Sequence, residues 1–418
     1  MDNNSTQPHL RHNIIVNVMD GAFFGFAIGF ASFVTIIPLF VSSMTESAIL
    51  IGLIPAIHAV GWQFPQLFIA NRVSRLPRFK PMVMWNTIQE RLPFLGLAAV
   101  AWFLPILDKN IALALTFLLL IWQGLGAGIT AHPWQSMIAK IIPSDIRGTF
   151  FGAQAAAANL LASLSAILAG LILDRVEHPQ DYVYCFLLAC LNLSIGYLFL
   201  GATREQERSY IGPEIGGQSF WRQLPYLIRK EPGFLSFLVT RSLLSFATLA
   251  FAFYTVYAVR FHHISEISIG VMTGVLLGTQ IVANPVMGWL GDRLGHRAVM
   301  EAGVVACIAS TVIAWLAPHP NWFFLVFILA GIGNVAVWTI GMAMALEFGN
   351  EAERPAFIGL ANTLVAPSTI LAPFMGGWLA DTAGYPATFV LSIACGILTL
   401  IVLNLVKRRT PEKPLSKL

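Results

Sequence analysis

Five side chains bring charge or a titratable ring into stretches that are otherwise apolar: Asp20, Glu90, Arg91, His132 and Arg241. A charge at mid-bilayer costs roughly 2.5–3.5 kcal/mol on insertion scales unless it is paired or wetted, so such groups mark ion pairs, gates or proton relays. A carboxylate can take up and release a proton, an arginine stays charged, and a histidine switches near neutral pH. Asp20 and Arg241 are therefore candidates for an acid–base gate. The alternative places both near helix ends, with Asp20 in headgroup water and Arg241 snorkelling to phosphate. Glu90 and Arg91 are adjacent, so on a helix they project about 100° apart and cannot both face one site. That favours pairing inside a bundle, with Asp20–Arg91 as one pair, over proton coupling through Glu90. His132 stands before Pro133, whose missing N–H predicts a kink and a freed carbonyl; its ring is a candidate proton carrier or a satisfied histidine.

Uncharged polar groups could contact a solute. Gln280 and Asn284 are four residues apart and share a helix face. Gln63, Gln123, Trp338 and Asn362 are further candidates, with His58 and Asn159 beside them. Interhelical hydrogen bonding is the competing role for each. A pocket rimmed by Phe23, Phe24, Phe26, Trp62, Trp122, Trp134 and Trp338 would suit an amphipathic or apolar solute, and ordinary packing is the alternative. No metal-spaced His and acid cluster and no nucleophile beside a base is present, so the sequence predicts neither an enzyme nor a cofactor or metal site.

The elements that must hold these groups follow from composition. Of 418 residues, 56% are hydrophobic and only 11% charged, which excludes a soluble globule. A span needs about 20 mainly apolar residues, and twelve are expected: 14–40, 47–70, 81–104, 110–140, 146–173, 181–203, 233–260, 265–290, 297–317, 321–348, 355–380 and 385–406. The runs are continuous rather than alternating, so the class is an all-α polytopic membrane protein.

Basic residues near span ends stay on the cytoplasmic side. With the N-terminus inside, all but five of the 25 Lys and Arg are cytoplasmic: Lys109, Arg175 and Arg260 lie in outer loops, and Arg91 and Arg241 within spans. Both termini are thus expected in the cytoplasm, and the net charge of +4 needs no nucleic-acid partner. Residues 204–232 read as a tether, with a short surface helix or an irregular stretch over Phe220–Lys230. Residues 1–12 and 410–418 read as disordered tails. No cleavable-signal pattern precedes the first span. Cys185, Cys190, Cys307 and Cys395 all fall inside spans and read as packing residues.

The chain also repeats itself. At an offset of 207, Gln123-Gly-Leu-Gly126-Ala-Gly is echoed by Ala330-Gly-Ile-Gly333-Asn-Val, Arg147-Gly-Thr-Phe150-Phe-Gly152 by Arg354-Pro-Ala-Phe357-Ile-Gly359, and Gly170-Leu-Ile-Leu-Asp174 by Gly377-Trp-Leu-Ala-Asp381. At an offset of 221, Arg241 falls on Asp20, Asn284 on Gln63, and Asp292-Arg293 on Asn71-Arg72. Two six-helix halves, 1–203 and 233–409, related by a parallel repeat are the expected organisation.

Gly288-Trp-Leu-Gly-Asp292-Arg293-Leu-Gly295-His-Arg297 joins the eighth and ninth spans. It resembles the signature loop of the major facilitator superfamily. Physically, Gly288 allows close helix packing, Gly295 a tight turn, and Arg293 and Arg297 hold the loop at the cytoplasmic surface. The resemblance implies two bundles that rock about a midplane site, with the first and seventh helices lining the cavity. It also implies that Asp292 meets the N-terminal end of a helix of the other half, near Arg147. The first-half copy departs from the pattern: Leu67, Asn71 and Ser74 replace Gly, Asp and Gly, leaving Arg72, Arg75, Arg78 and Lys80 unbalanced by any acid and suited to inner-leaflet anchoring. The family's drug–proton antiporters carry an Arg where Leu120 stands, and a Gly-Pro element in the fifth helix that 155–170 lacks, although Pro373-Phe-Met-Gly376-Gly377 occurs in the eleventh.

The expected function is secondary transport of a small organic solute by alternating access, proton-coupled or not, with efflux favoured over import. The alternative is a non-transporting receptor or accessory protein with the same fold. The partners expected are that solute, protons in the coupled case and membrane lipids. A monomer in the plasma membrane, of bacterial or archaeal type, is the default.

Overall fold

The structure, a computed structural model, describes residues 9–33, 35–45, 48–207, 231–262, 266–350 and 353–407. Among them every regular element is helical, and all twelve expected spans are occupied. The first holds α1 (Leu10–Phe30) and the short α2 (Ile36–Ser42), and the second α3 (Ala48–Gln63) and α4 (Gln66–Ser74). The third to sixth are α5 (Lys80–Phe103), α6 (Lys109–Ile141), α7 (Arg147–Arg175) and α8 (Gln180–Gly201). The seventh is α9 (Pro232–Ala247), a 3-10 turn over Leu249–Phe253, and α10 (Tyr254–His262). The eighth and ninth are α11 (Glu266–Leu294) and α12 (His296–Leu316), and the tenth is α13 (Trp322–Val335), a π-helical turn over Ala336–Ile340, and α14 (Gly341–Ala345). The eleventh is α15 (Arg354–Thr363) and α16 (Ala366–Ala383), and the twelfth is α17 (Tyr385–Lys407). Among the described residues ten stretches are long and apolar enough to cross a membrane; α5, which carries Glu90 and Arg91, and α11 fall outside that set.

Several expected spans are not single helices. The first breaks at residues 31–35, where the Ser32 hydroxyl accepts the Thr35 N–H at 3.2 Å and so competes with helical pairing. The second breaks before Pro65, and the eleventh breaks beside Pro367, because each proline ring opposes continuation of the preceding turn. α6 runs through Pro133 as one helix. The carbonyl the proline frees, Ile129 O, accepts from Asn86 Nδ2 of α5 at 2.8 Å, so the neighbouring helix supplies the missing donor.

The chain divides into two compact units, Met1–Glu214 with Asn350–Thr363, and Ile215–Gly349 with Leu364–Leu418. The first unit packs α1 on α7 and α8, and α5 on α6 and α8. Its apolar core includes Phe40, whose ring meets those of Tyr182 and Phe186 at 5.2 and 5.3 Å. In the second unit the Tyr254 hydroxyl shares hydrogen bonds with Ser310 and Thr311 at 2.8 and 2.9 Å and fixes the seventh span to α12. Outside these cores large apolar side chains such as Trp102, Leu118 and Leu198 are exposed, as a lipid-facing surface requires.

The sequence repeat has a packing counterpart. In the first unit Gly124 lies against α3 at Gly61 and Ile57, and Gly126 lies against the α5 backbone at Gln89. In the second unit Gly331 lies against α11 at Thr279 and Leu276, and Gly333 against α12 at Cys307. Each half thus uses its first glycine to approach its second span and the next to approach its third, where any larger side chain would hold the backbones apart.

Two expectations at the span ends change. Residues 9–12, read as disordered tail, include the start of α1, and His12 Nε2 bonds Ala202 O at 2.9 Å. The first four residues of the expected tether are bonded to the first unit: Asn13 and Arg204 exchange side-chain and backbone bonds at 2.9 Å, and Glu205 accepts from Phe79 N, Lys80 N and Lys140 Nζ at 2.9, 2.7 and 3.1 Å. Arg78, read as unbalanced, pairs with Glu207 at 2.8 Å, a partner remote in sequence. The expected surface helix at 220–230 and the tail 410–418 lie outside the described residues. The cysteines are free, with Cys185, Cys307 and Cys395 buried.

Candidate functional site

In the first unit Arg91 Nη2 donates to Asp20 Oδ1 at 3.0 Å, and both side chains are only 10% exposed. The Tyr197 ring lies 5.6 Å from the Arg91 guanidinium, and Gly196 leaves room beside the Asp20 carboxylate. Glu90 is buried on the same turn of α5. Of the two partners foreseen for Asp20, the one within its own bundle is occupied.

A second polar cluster joins α4, α6 and α15. Asn362 Nδ2 donates to Gln66 Oε1 at 2.6 Å and to Gln135 Oε1 at 3.2 Å, and all three residues are buried. Gln66 is itself held by its Nε2 donating to Trp62 O at 2.7 Å. Thr363 donates to the backbone carbonyl of Gln63, whose side-chain Oε1 has no partner among the described residues. Gly359 makes this seating possible, since a Cβ there would stand 3.0 Å from Ala70 Cβ and 3.4 Å from His132 Cε1. His132 is fully buried beside it with neither ring nitrogen bonded among the described residues. Nearer the start of α6, His58 Nδ1 donates to Gln123 Oε1 at 2.9 Å while its ring stacks on Phe33 at 4.1 Å. Gln63, His132 and Asn362 therefore lie where α15 is seated, whereas Gln123 is bonded to His58 and Asn159 lies half-buried on α7.

The second unit places its candidates differently. Asn284 Nδ2 donates to Gln280 O at 2.8 Å, and its Oδ1 accepts from Thr339, tying α11 to the π-helical turn. Trp338 on that turn is half exposed within an apolar span. A π-turn widens the helix by one residue per turn and recurs where a side chain must be presented. The Arg241 guanidinium lies 5.8 Å from the Phe237 ring and packs near Gly341.

The signature loop forms as its residue types predict at one point and differs at others. Gly295 has φ +89°, the left-handed turn that joins α11 to α12. Gly288 is buried, and Gly291 is closely packed too, since a Cβ there would stand 2.6 Å from the His296 ring. Arg293 lies over Trp289 at 4.2 Å, and Arg297 Nε donates to Glu301 at 3.1 Å. His296 sits between two acids, with Nδ1 donating to Glu347 at 2.5 Å and Nε2 3.4 Å from Asp292.

Sequence reading passed over Gln66, Gln135, Asn86, His296 and Glu347. Each prolyl neighbour was a usable signal, since Gln66 follows Pro65 and Gln135 follows Pro133 by two. Glu347 offered none, because its partner is set only by the return of α14 to the start of α12. Among the described residues no group of His, Cys, Asp and Glu could hold a metal ion.

Residues 235–418 match the Major Facilitator Superfamily family model. The probable vesicular acetylcholine transporter-B of Danio rerio is 33% identical over 152 residues, 35% of this chain and 31% of that protein. The multidrug transporter protein MdtP of Bacillus subtilis is 24% identical over 130 residues, 31% of this chain and 24% of that protein. The chain thus covers about a third or less of the curated relatives it matches. Over 95% of its length the fold is similar to the crystal structure of a bacterial homologue of the iron transporter ferroportin in the outward-facing state, at a TM-score of 0.74, 14% identity and 99% coverage of that chain. The E. coli fucose:proton symporter is similar over 94% of this chain and 98% of its own, at a TM-score of 0.75 and 12% identity.

Proposed function

We propose that this chain, which matches the Major Facilitator Superfamily model over residues 235–418, is a secondary active transporter that moves a small organic solute across the membrane by alternating access. The observation that carries this reading is the cluster of Asn362 with Gln66 and Gln135. α15 is seated in the first unit by polar bonds and a glycine contact, while α16, the continuation of the same span, belongs to the second unit. A seat made of a few hydrogen bonds and one small-residue contact within the first unit is weak enough to be released and remade in a transport cycle. The two relatives named for acetylcholine and for multidrug transport support an organic solute. Gln280, Asn284 and Trp338 are the proposed solute contacts of the second unit, and Gln63, Gln123 and His58 those of the first.

Coupling to protons is proposed at Glu90, a buried acid on the same turn of α5 as the Asp20–Arg91 pair. Export is the proposed direction, from a monomer in the plasma membrane with both termini in the cytoplasm. No enzymatic step is proposed. The test is flux in proteoliposomes, with acetylcholine and cationic dyes as first probes, with and without a pH gradient. Accumulation that follows the gradient supports coupled transport. A ligand that raises the melting temperature of the purified protein yet never crosses would favour the receptor reading instead.

A further inference from the structure

A cavity of about 500 Å³ opens at the N-terminal ends of α1 and α5 and the C-terminal end of α8, the cytoplasmic side in the orientation proposed above. Its basic lining comes from His9, Arg78, Lys80 and Arg204, and its apolar lining from Pro81 and Met84. We propose that this cavity binds the phosphate headgroup of an anionic glycerophospholipid, with the glyceride end of the lipid over Pro81 and Met84.

Three observations lead there. The first is that the acid in the wall is already committed. Glu205 is turned inward with its side chain 1% exposed, and its two oxygens are taken by Phe79 N, Lys80 N and Lys140 Nζ. Those bonds fix the backbone of residues 203–206, and Lys140 also bonds Gln206 O, so the basic groups are held in place before any ligand arrives. The second is that the remaining counter-ion is weakly held. Glu207 reaches Arg78 at 2.8 Å, but the two side chains are 67% and 50% exposed, and an ion pair in that setting contributes little and can exchange for a phosphate. Arg204 Nη1 meanwhile donates to His9 Nδ1 at 3.4 Å, a long bond to a neutral acceptor that a phosphate oxygen can replace. The Lys80 ammonium completes the set at the edge of the cavity.

The third observation separates a lipid from a soluble phosphate. Met84 lies against Gly201 in the cleft between α5 and α8, and Trp85, the next residue of α5, is 69% exposed. An exposed tryptophan at a span end marks headgroup level, and inner-leaflet anionic lipids lie at that depth. The cavity therefore opens where a headgroup already is, with an apolar path beside it.

The experiment uses the full chain in phosphatidylcholine nanodiscs titrated with phosphatidylglycerol, with retained lipid counted by native mass spectrometry, and a parallel titration with inorganic phosphate. One phosphatidylglycerol is expected to bind, and Lys80→Gln with Arg204→Gln to weaken it by about fivefold for each cation removed. Glu207→Gln, an exposed change that frees Arg78, is expected to tighten binding and keeps the test open if the double variant does not fold. Equal affinity in the double variant, or no tightening in Glu207→Gln, overturns the proposal. So does displacement of the lipid by inorganic phosphate alone, which would assign the cavity to a soluble anion.

Discussion

Asn362 and Gln66 lie 296 positions apart in the chain, yet the Asn362 amide donates to the Gln66 side chain at 2.6 Å in a buried site. The bond links the two spans that proline interrupts, α4 just after Pro65 and α15 just before Pro367. A helix that is broken can move its two pieces separately, and a polar bond at the end of one piece decides when it does.

Asn362→Ala removes the donor and leaves the Gln66 and Gln135 oxygens buried without it, a loss of about 1–3 kcal/mol from the seat of α15. Amide hydrogen exchange over residues 354–363 of the purified variant is expected to rise by about five- to a hundredfold, with the exchange of α5 unchanged. Equal protection of 354–363 in variant and wild type would show that the bond does not hold the segment. Gly359→Val is expected to act in the same direction, because its side chain meets Ala70 and His132.

Asp20→Asn leaves Arg91 buried with its counter-charge gone. Breaking a buried pair in this way costs about 3–5 kcal/mol, so the melting temperature in detergent should fall sharply. Asp20→Asn combined with Arg91→Gln should recover part of that loss, since no unbalanced charge remains. A double variant that is less stable than either single one would mean that the two side chains act independently.

Asp292→Asn and His296→Gln each weaken the junction of α11 and α12, where one histidine is held between Asp292 and Glu347. Both should lower flux in proteoliposomes severalfold at equal protein level, with insertion into the membrane retained. His296→Arg, which keeps a donor with positive charge between the two acids, should be closer to wild type than His296→Gln. Flux unaltered in Asp292→Asn would remove the loop from the transport cycle.

Glu205→Gln weakens the tie from the end of α8 to Lys140 and the start of α5. Limited proteolysis after Arg204 is expected to quicken, while cleavage at Lys109, the first residue of α6, stays as it was. Unchanged cleavage at both sites would mean that the remaining bonds from Asn13 suffice to hold the segment.

Much of this protein was legible in its residues. The length of the apolar runs forces helices, because a backbone in hydrocarbon must satisfy its polar groups within its own segment. Gly295 requires a left-handed turn, and the doublet Glu90-Arg91 with Asp20 already limited the pairing. The carbonyl freed by Pro133 could be foreseen as well, since it follows from one missing N–H. What could not be foreseen was that Asn86 would fill it and leave α6 unbroken.

The sequence by itself determined the spans, the repeat and the inventory of polar groups, because each of these depends on solvent transfer and on local backbone chemistry. Only the tertiary structure decided the partners: Asn362 with Gln66 and Gln135, Glu347 with His296, Glu205 with Lys140, and four basic side chains around one cavity. Hydrogen bonds and ion pairs act over a few ångströms in space and carry no mark of their distance along the chain, so which buried donor meets which acceptor is fixed by helix packing alone.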